Sequence, residues 1–170
     1  MLFRSAPGRF LRHVADFAGR KPTGDVILTL LKHPLTATGG GARGNHLRFT
    51  RELELRLRRK GPAFPEGSDI RAWAAAGGAS ERLTWAEWLA GILEDAAQTG
   101  AGQLSAIVAL HLSLTERLAS GPQGTAGNSA LWQKEAGRAA AATMADLYRE
   151  AGAGGQYTPW NTRGSLCRCW

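Results

Sequence analysis

Apolar side chains recur at helical spacing from the first residues. Between Ala6 and Ala18, Phe10, Leu11, Val14 and Phe17 share one face, and Arg9, Arg12 and Asp16 lie off it. Lys21-Pro22-Thr23 breaks this helix, and Thr23 can cap the next, Gly24 to Lys32, apolar at Val26, Ile27, Leu30 and Leu31. His33-Pro34 ends it, because the residue before a proline is pushed out of the α region, and His33 is placed to cap that end. Ala37 to Gly44 reads as a flexible turn. From His46 to Lys60, Leu47, Phe49, Leu53, Leu55 and Leu57 partly alternate, as in a strand. Phe49, Leu53 and Leu57 also sit at i, i+4 and i+8, and the length and the Glu, Leu and Arg content favour a helix. Gly61-Pro62 stops it.

A Pro-containing loop from Ala63 to Ser68 leads to a short helix, Asp69 to Ala76. Thr84-Trp85-Ala86-Glu87 has the pattern of a capping box opening an amphipathic helix, with Trp85, Trp88, Leu89, Ile92 and Leu93 inward. Leu104 to Leu118 is a further helix, Ser120 to Asn128 a linker, and Ser129 to Glu150 a long Ala-rich helix carrying Trp132, Met144 and Leu147. No strong strand pattern and no solenoid repeat is present. The expected fold is all-α, an irregular multi-helix domain of about seven helices without a substantial sheet. It should occupy residues 1–155. Residues 156–170 have no periodicity and read as a disordered or aberrant tail.

The chain has 170 residues, enough for one domain with a real core. No apolar run approaches the ~20 residues that span a bilayer, and arginines interrupt the N-terminal stretch where a secretory signal would be apolar. We therefore expect a cytoplasmic protein. The two cysteines, Cys167 and Cys169, are too few for a structural zinc and do not make a disulfide framework. Charge is unevenly spread. The net charge of +7 divides into +9 on residues 1–60 and −2 on the rest. Such asymmetry points to a polyanionic partner for the N-terminal third.

Motifs of catalysis are missing. Gly39-Gly40-Gly41-Ala42-Arg43-Gly44 matches G-x-G-x-x-G literally, but a helix and a proline precede it where a dinucleotide site needs a strand. There is no Walker A loop, no D-x-K or E-x-K triplet of a metal nuclease, and no G-x-S-x-G elbow. His13, His33, His46 and His111 are scattered, with no metal-ligand spacing, and His111 reads as a satisfied core or boundary histidine. No cofactor, metal or small-molecule substrate is expected. Trp73, Trp85, Trp88 and Trp132 can serve as base-stacking platforms or as core aromatics, and their spacing beside leucines favours the core.

The basic helix is the remaining candidate. Arg43, Arg48, Arg51, Arg58, Arg59 and Lys60 are the candidate nucleic-acid contacts, since the guanidinium fork suits phosphate. The alternative is a solvated face with internal ion pairs, Glu52–Arg56 and Glu54–Arg58, each worth a few tenths of a kcal/mol.

Pro7-Gly8-Arg9-Phe10-Leu11-Arg12-His13, Leu30-Leu31-Lys32-His33-Pro34-Leu35, Arg43-Gly44-x-His46-Leu47-Arg48 and Leu53-Glu54-x-x-Leu57-Arg58-Arg59-x-Gly61-Pro62 together resemble the middle of AddB. AddB is the double-strand break repair subunit of the AddAB helicase–nuclease, and the form resembled is alphaproteobacterial. The similarity runs from about Ser5 to Gly155 and is strongest over Leu28 to Pro65. The resemblance implies an internal helical piece of the helicase-like region, DNA contact during end processing for recombinational repair, and an AddA-type partner subunit. It implies no catalytic residue here, because the C-terminal nuclease motif of that family is absent. The tail departs from the family pattern, as a truncated or frame-shifted reading frame would make it do. The second expectation is a protein-interaction segment, its Arg helix on an acidic partner surface and its Trp85/Trp88 helix in a groove.

Overall fold

The computed structural model describes residues 5–18, 20–41, 43–98, 100–125 and 127–157. Among them the protein is mainly α, with seven helices: α1 (Ala6–Phe17), α2 (Gly24–Leu31), α3 (Arg43–Lys60), α4 (Gly67–Ala75), α5 (Ser80–Ala97), α6 (Leu104–Ser120) and α7 (Lys134–Ala151). Two-residue strands β1 (Gly102–Gln103) and β2 (Gln156–Tyr157) pair antiparallel, Gly102 opposite Tyr157 and Gln103 opposite Gln156. Residues 156 and 157, expected in the tail, thus return to the entrance of α6. Cys167 and Cys169 lie outside the described residues.

At three of the helices a polar side chain meets the unpaired backbone N–H groups of the first turn. Ser5 caps α1 by accepting from the Gly8 N–H at 3.2 Å, with Pro7 in the first turn, and Thr23 caps α2 by accepting from Val26 N–H at 3.4 Å. At α4, Glu66 and Asp69 form a reciprocal capping box, in which the Glu66 N–H donates to Asp69 Oδ2 at 2.9 Å. The box expected at Thr84 is not formed. Helix α5 begins earlier, at Ser80, because Ser80 to Leu83 contain no breaker; Thr84 is inside it and its hydroxyl donates to the Ser80 carbonyl. Helix α7 begins later than expected, at Lys134: Ser129 to Gln133 form a turn instead, and Lys134 enters it with a φ of +61°.

One core joins six helices. Phe10, Val14 and Phe17 of α1, Ile27, Leu30 and Leu31 of α2, Phe49 and Leu53 of α3, Ile70 and Trp73 of α4, Trp85, Leu89 and Ile92 of α5 and Leu114 and Leu118 of α6 are all buried in it. Each such side chain stabilises the fold by about 1.5–3 kcal/mol. A smaller cluster of Leu11, Val108, Ala140, Met144 and Ala151 binds α7 to α1 and α6. The histidine expected to be satisfied is not. His111 of α6 is 2% exposed, and neither of its ring nitrogens has a hydrogen-bond partner among the described residues.

The segment expected to be a flexible turn is fastened to the end of α6. Ala37 N–H donates to the Leu118 carbonyl at 2.9 Å and Thr38 N–H to the Ala119 carbonyl at 2.8 Å. Gly121, at φ +82° and ψ −179°, faces Ala37, whose Cα would lie 2.9 Å from an added Cβ. That backbone region is nearly exclusive to glycine. Gly121→Ala is therefore expected to cost about 2–4 kcal/mol, measured as urea unfolding followed by circular dichroism. A loss below about 0.5 kcal/mol would show that the loop can move aside.

Candidate nucleic-acid interface

Helix α3 divides its faces by charge. His46, Phe49, Thr50 and Leu53 are buried and fix the helix against α2 and α5. At ~100° per residue, Arg48, Arg51, Leu55, Arg58 and Arg59 fall within an arc of about 100° on the opposite side. All five are exposed. The stripe runs about 16 Å along the helix axis from Arg48 to Arg59. Leu55, 55% exposed, sits within it.

The individual charges differ in what holds them. Arg58 pairs with Glu54 at 2.8 Å, as expected, but Glu54 is shared with Lys32 of the α2 end at 2.7 Å. Both bases hold the Glu54 carboxyl below its usual range. Glu52 does not pair with Arg56; it lies 3.5 Å from Arg82 of α5, which itself stacks over the Trp73 ring at 3.9 Å. Arg48 reaches Glu81 at 3.6 Å and lies over the Phe49 ring. Arg51, Arg56, Arg59 and Lys60 make no ion pair among the described residues. Exposed pairs such as Arg48–Glu81 are worth at most about 1 kcal/mol and yield readily to a phosphate.

Two candidate residues leave the stripe. Arg43 is half-buried, and its guanidinium donates to the Thr36 carbonyl in the loop fastened to α6. It serves the fold, because the helix begins at Arg43 rather than at His46 and its first turn meets that loop. Lys60 lies about 100° away from the stripe's edge at the C-terminal end.

Trp73 and Trp85 are buried in the core, and Trp88 and Trp132 pack against it. Trp85 is buried against Trp73, Phe49, His46 and Trp88, with ring centroids about 6 Å apart. Trp88 is half-buried and donates to the Arg117 carbonyl, while Trp132 donates to Glu116. The α5 face that would dock into a partner's groove is thus occupied by the protein's own core. Sequence reasoning missed a different aromatic: Phe64, in the loop after α3, is 50% exposed.

Gly40 and Gly41 have φ of +77° and +71° and turn the chain ahead of α3, to which Arg43 and Gly44 already belong; the element before them is a helix, α2, and not a strand. Among the described residues no three His, Cys, Asp or Glu side chains come together as metal ligands, and no helix is long and apolar enough to cross a membrane. Compared with known proteins, the chain matches no family model, no curated protein and no solved structure.

Proposed function

We propose that this chain is a non-catalytic helical segment of a DNA end-processing machine of the AddB kind, working in the cytoplasm beside an AddA-type subunit and contacting nucleic-acid backbone through α3. One observation carries the proposal: Arg48, Arg51, Arg58 and Arg59 lie on a single exposed face, with Arg51 and Arg59 uncommitted to any carboxylate among the described residues. Four guanidinium groups on one rigid helix present phosphate-matched forks in a row. Such contacts position a strand without reading its bases. The motifs quoted above supply the link to double-strand break repair, and that link rests on them alone.

Fluorescence-anisotropy titration of the whole chain with duplex and single-stranded oligonucleotides across a salt series tests the reading. With four phosphates neutralised, the logarithm of affinity should fall against the logarithm of salt with a slope of about −3.6 on duplex or −2.8 on single strands. On duplex, raising salt from 50 to 200 mM then weakens binding about 150-fold. R48Q combined with R51Q should halve the slope. R43Q should leave it unchanged, because that side chain is spent on the Thr36 carbonyl. Absent binding at low salt, or a flat salt dependence, defeats the proposal and moves the stripe to an acidic protein partner.

A further inference from the structure

We infer that the junction of α1, the loop after α2 and the start of α3 is an anion site, which takes a small phosphate-type dianion on the Nε2–H of His33 beside Arg9 and His13. The inference goes beyond the nucleic-acid reading and does not rest on it, because no residue of the Arg48 to Arg59 stripe belongs to this junction.

His33 carries the argument. Its ring is 8% exposed and packs against Phe10, with centroids 4.9 Å apart. The Leu35 N–H donates to its Nδ1 at 3.2 Å. An accepting Nδ1 has no proton, so the neutral ring keeps its proton on Nε2. That donor has no acceptor among the described residues, and it reaches solvent, unlike the sealed nitrogens of His111. A ring held in place with its one N–H unmatched is a donor in want of an acceptor.

The neighbours are donors too. The His13 ring lies 5.9 Å from that of His33, centroid to centroid. Arg9 precedes His13 by one helical turn and shares its face of α1. Arg43 opens α3, and one of its N–H groups holds the Thr36 carbonyl, three residues after His33. Burial, then the charges of His13, Arg9 and Arg43, hold His33 at about 4, which places all three groups near the ring. No carboxylate pairs with Arg9, His13, His33 or Arg43 among the described residues. Asp16, one turn past His13, has a partner of its own. Arg9 is exposed and His13 half-buried, so the group is open to solvent from the α1 side. Two arginines with no paired carboxylate repel a cation, so the two histidines do not make a metal site. The same charges attract an anion. Donors from separate segments suit the oxygens of a tetrahedral group, and the Arg9 fork can hold two of them.

Calorimetric titration of the whole chain with inorganic phosphate, and with glycerol phosphate, in chloride at constant ionic strength tests this. One phosphate group is expected to bind per chain, saturably. Arg9→Gln should weaken it about 10–100-fold, the loss of a charge-assisted hydrogen bond. Because Arg9 is exposed, that variant should melt as the parent does in chloride alone. Arg48→Gln combined with Arg51→Gln should leave the phosphate affinity unchanged. In nitrogen-15 spectra of the histidine rings, phosphate should shift His13 and His33 and leave His111 in place. Tighter binding of the free ion or of the monoester identifies the source of the group, and equal binding assigns the site to the phosphate group alone; each supports the site. Absence of saturable binding, an undiminished affinity in Arg9→Gln, unmoved His13 and His33 signals, or a loss in the stripe variant overturns it. The nucleic-acid proposal stands or falls separately, on its own salt series.

Discussion

Trp85→Ala is expected to lower the free energy of unfolding by about 3–5 kcal/mol. The indole is buried where α3, α4 and α5 meet, and it has a polar task as well as a volume. Its Nε1–H donates to His46 Nδ1 at 3.1 Å. That bond fixes the imidazole tautomer, so the proton is on Nε2, which donates to the Leu31 carbonyl at 2.8 Å. Leu31 is the last residue of α2, and its carbonyl has no intrahelical donor. Trp85 therefore acts through His46 on the end of a helix it does not belong to. Trp85→Phe keeps most of the apolar volume and should cost less, about 1–3 kcal/mol, because His46 Nδ1 loses its donor in a closed site. Chemical denaturation followed by far-ultraviolet circular dichroism measures both. A Trp85→Ala loss below about 1 kcal/mol would mean that the three helices do not depend on this junction.

The protein should lose several kcal/mol of stability between pH 6.5 and about pH 4. Three histidines are held neutral. Burial lowers His111 to about 4, with no acceptor for its protons among the described residues. Burial, then His13, Arg9 and Arg43, lower His33 to about 4, and its Nδ1 already accepts from the Leu35 N–H. His46 is lowered by burial, against the pull of the Leu31 carbonyl. Each ring binds a proton more weakly folded than unfolded. The unfolded chain thus takes up more protons as pH falls below 6.5, and stability present in full above that value is lost down to about pH 4. A ring shifted that far is worth up to about 3 kcal/mol. The lowered carboxyls of Glu54, Glu66, Glu87 and Glu94 act in the same direction but below their ordinary value of 4.5, after the histidine window has begun. His111→Leu separates the causes. It removes two unpartnered polar atoms and should raise stability at pH 7 by about 1–3 kcal/mol while making the acid loss shallower. Unfolding curves at half-unit pH steps read both effects. A His111→Leu variant less stable than the parent at pH 7 would mean that the ring has a partner after all.

The helical class and most of the core were legible because apolar spacing is a local signal. Phe10, Val14, Phe17, Leu53, Leu89 and Leu118 all point where their periodicity says. Helix starts were less legible, since a cap is only one way to begin. Thr84-x-x-Glu87 has the box pattern, yet Glu87 faces Arg71 of α4 at 2.7 Å and the helix runs on through Thr84. Ala37 to Gly44 looked loose from its glycines, but Thr38 finds its partner 81 residues away in sequence, which leaves no local trace. In the candidate interface, the grouping of Arg48, Arg51, Arg58 and Arg59 on one side followed from helical spacing, while the exposure of Leu55 among them did not. The inward turn of Arg43 depended on a carbonyl in the preceding loop.

Thr38 carries a consequence for synthesis in the cell. Its hydroxyl donates toward the Leu35 and Ala119 carbonyls and accepts from the Ala130 N–H at 3.0 Å. Three stretches of chain meet on one oxygen, and the last leaves the ribosome 92 residues after the first. Helix α3 has then been outside the tunnel for many seconds at ordinary elongation rates of ~5–20 residues per second. Until Leu118 and Ala119 emerge, its N-terminal anchor, the loop that receives Arg43, lacks the α6 end to which it is fastened in the folded protein. The most basic element of the nascent chain is thus displayed before its support exists, beside a ribosome whose own surface is rich in RNA phosphate. Order of emergence sets a folding hazard here that the finished fold no longer shows.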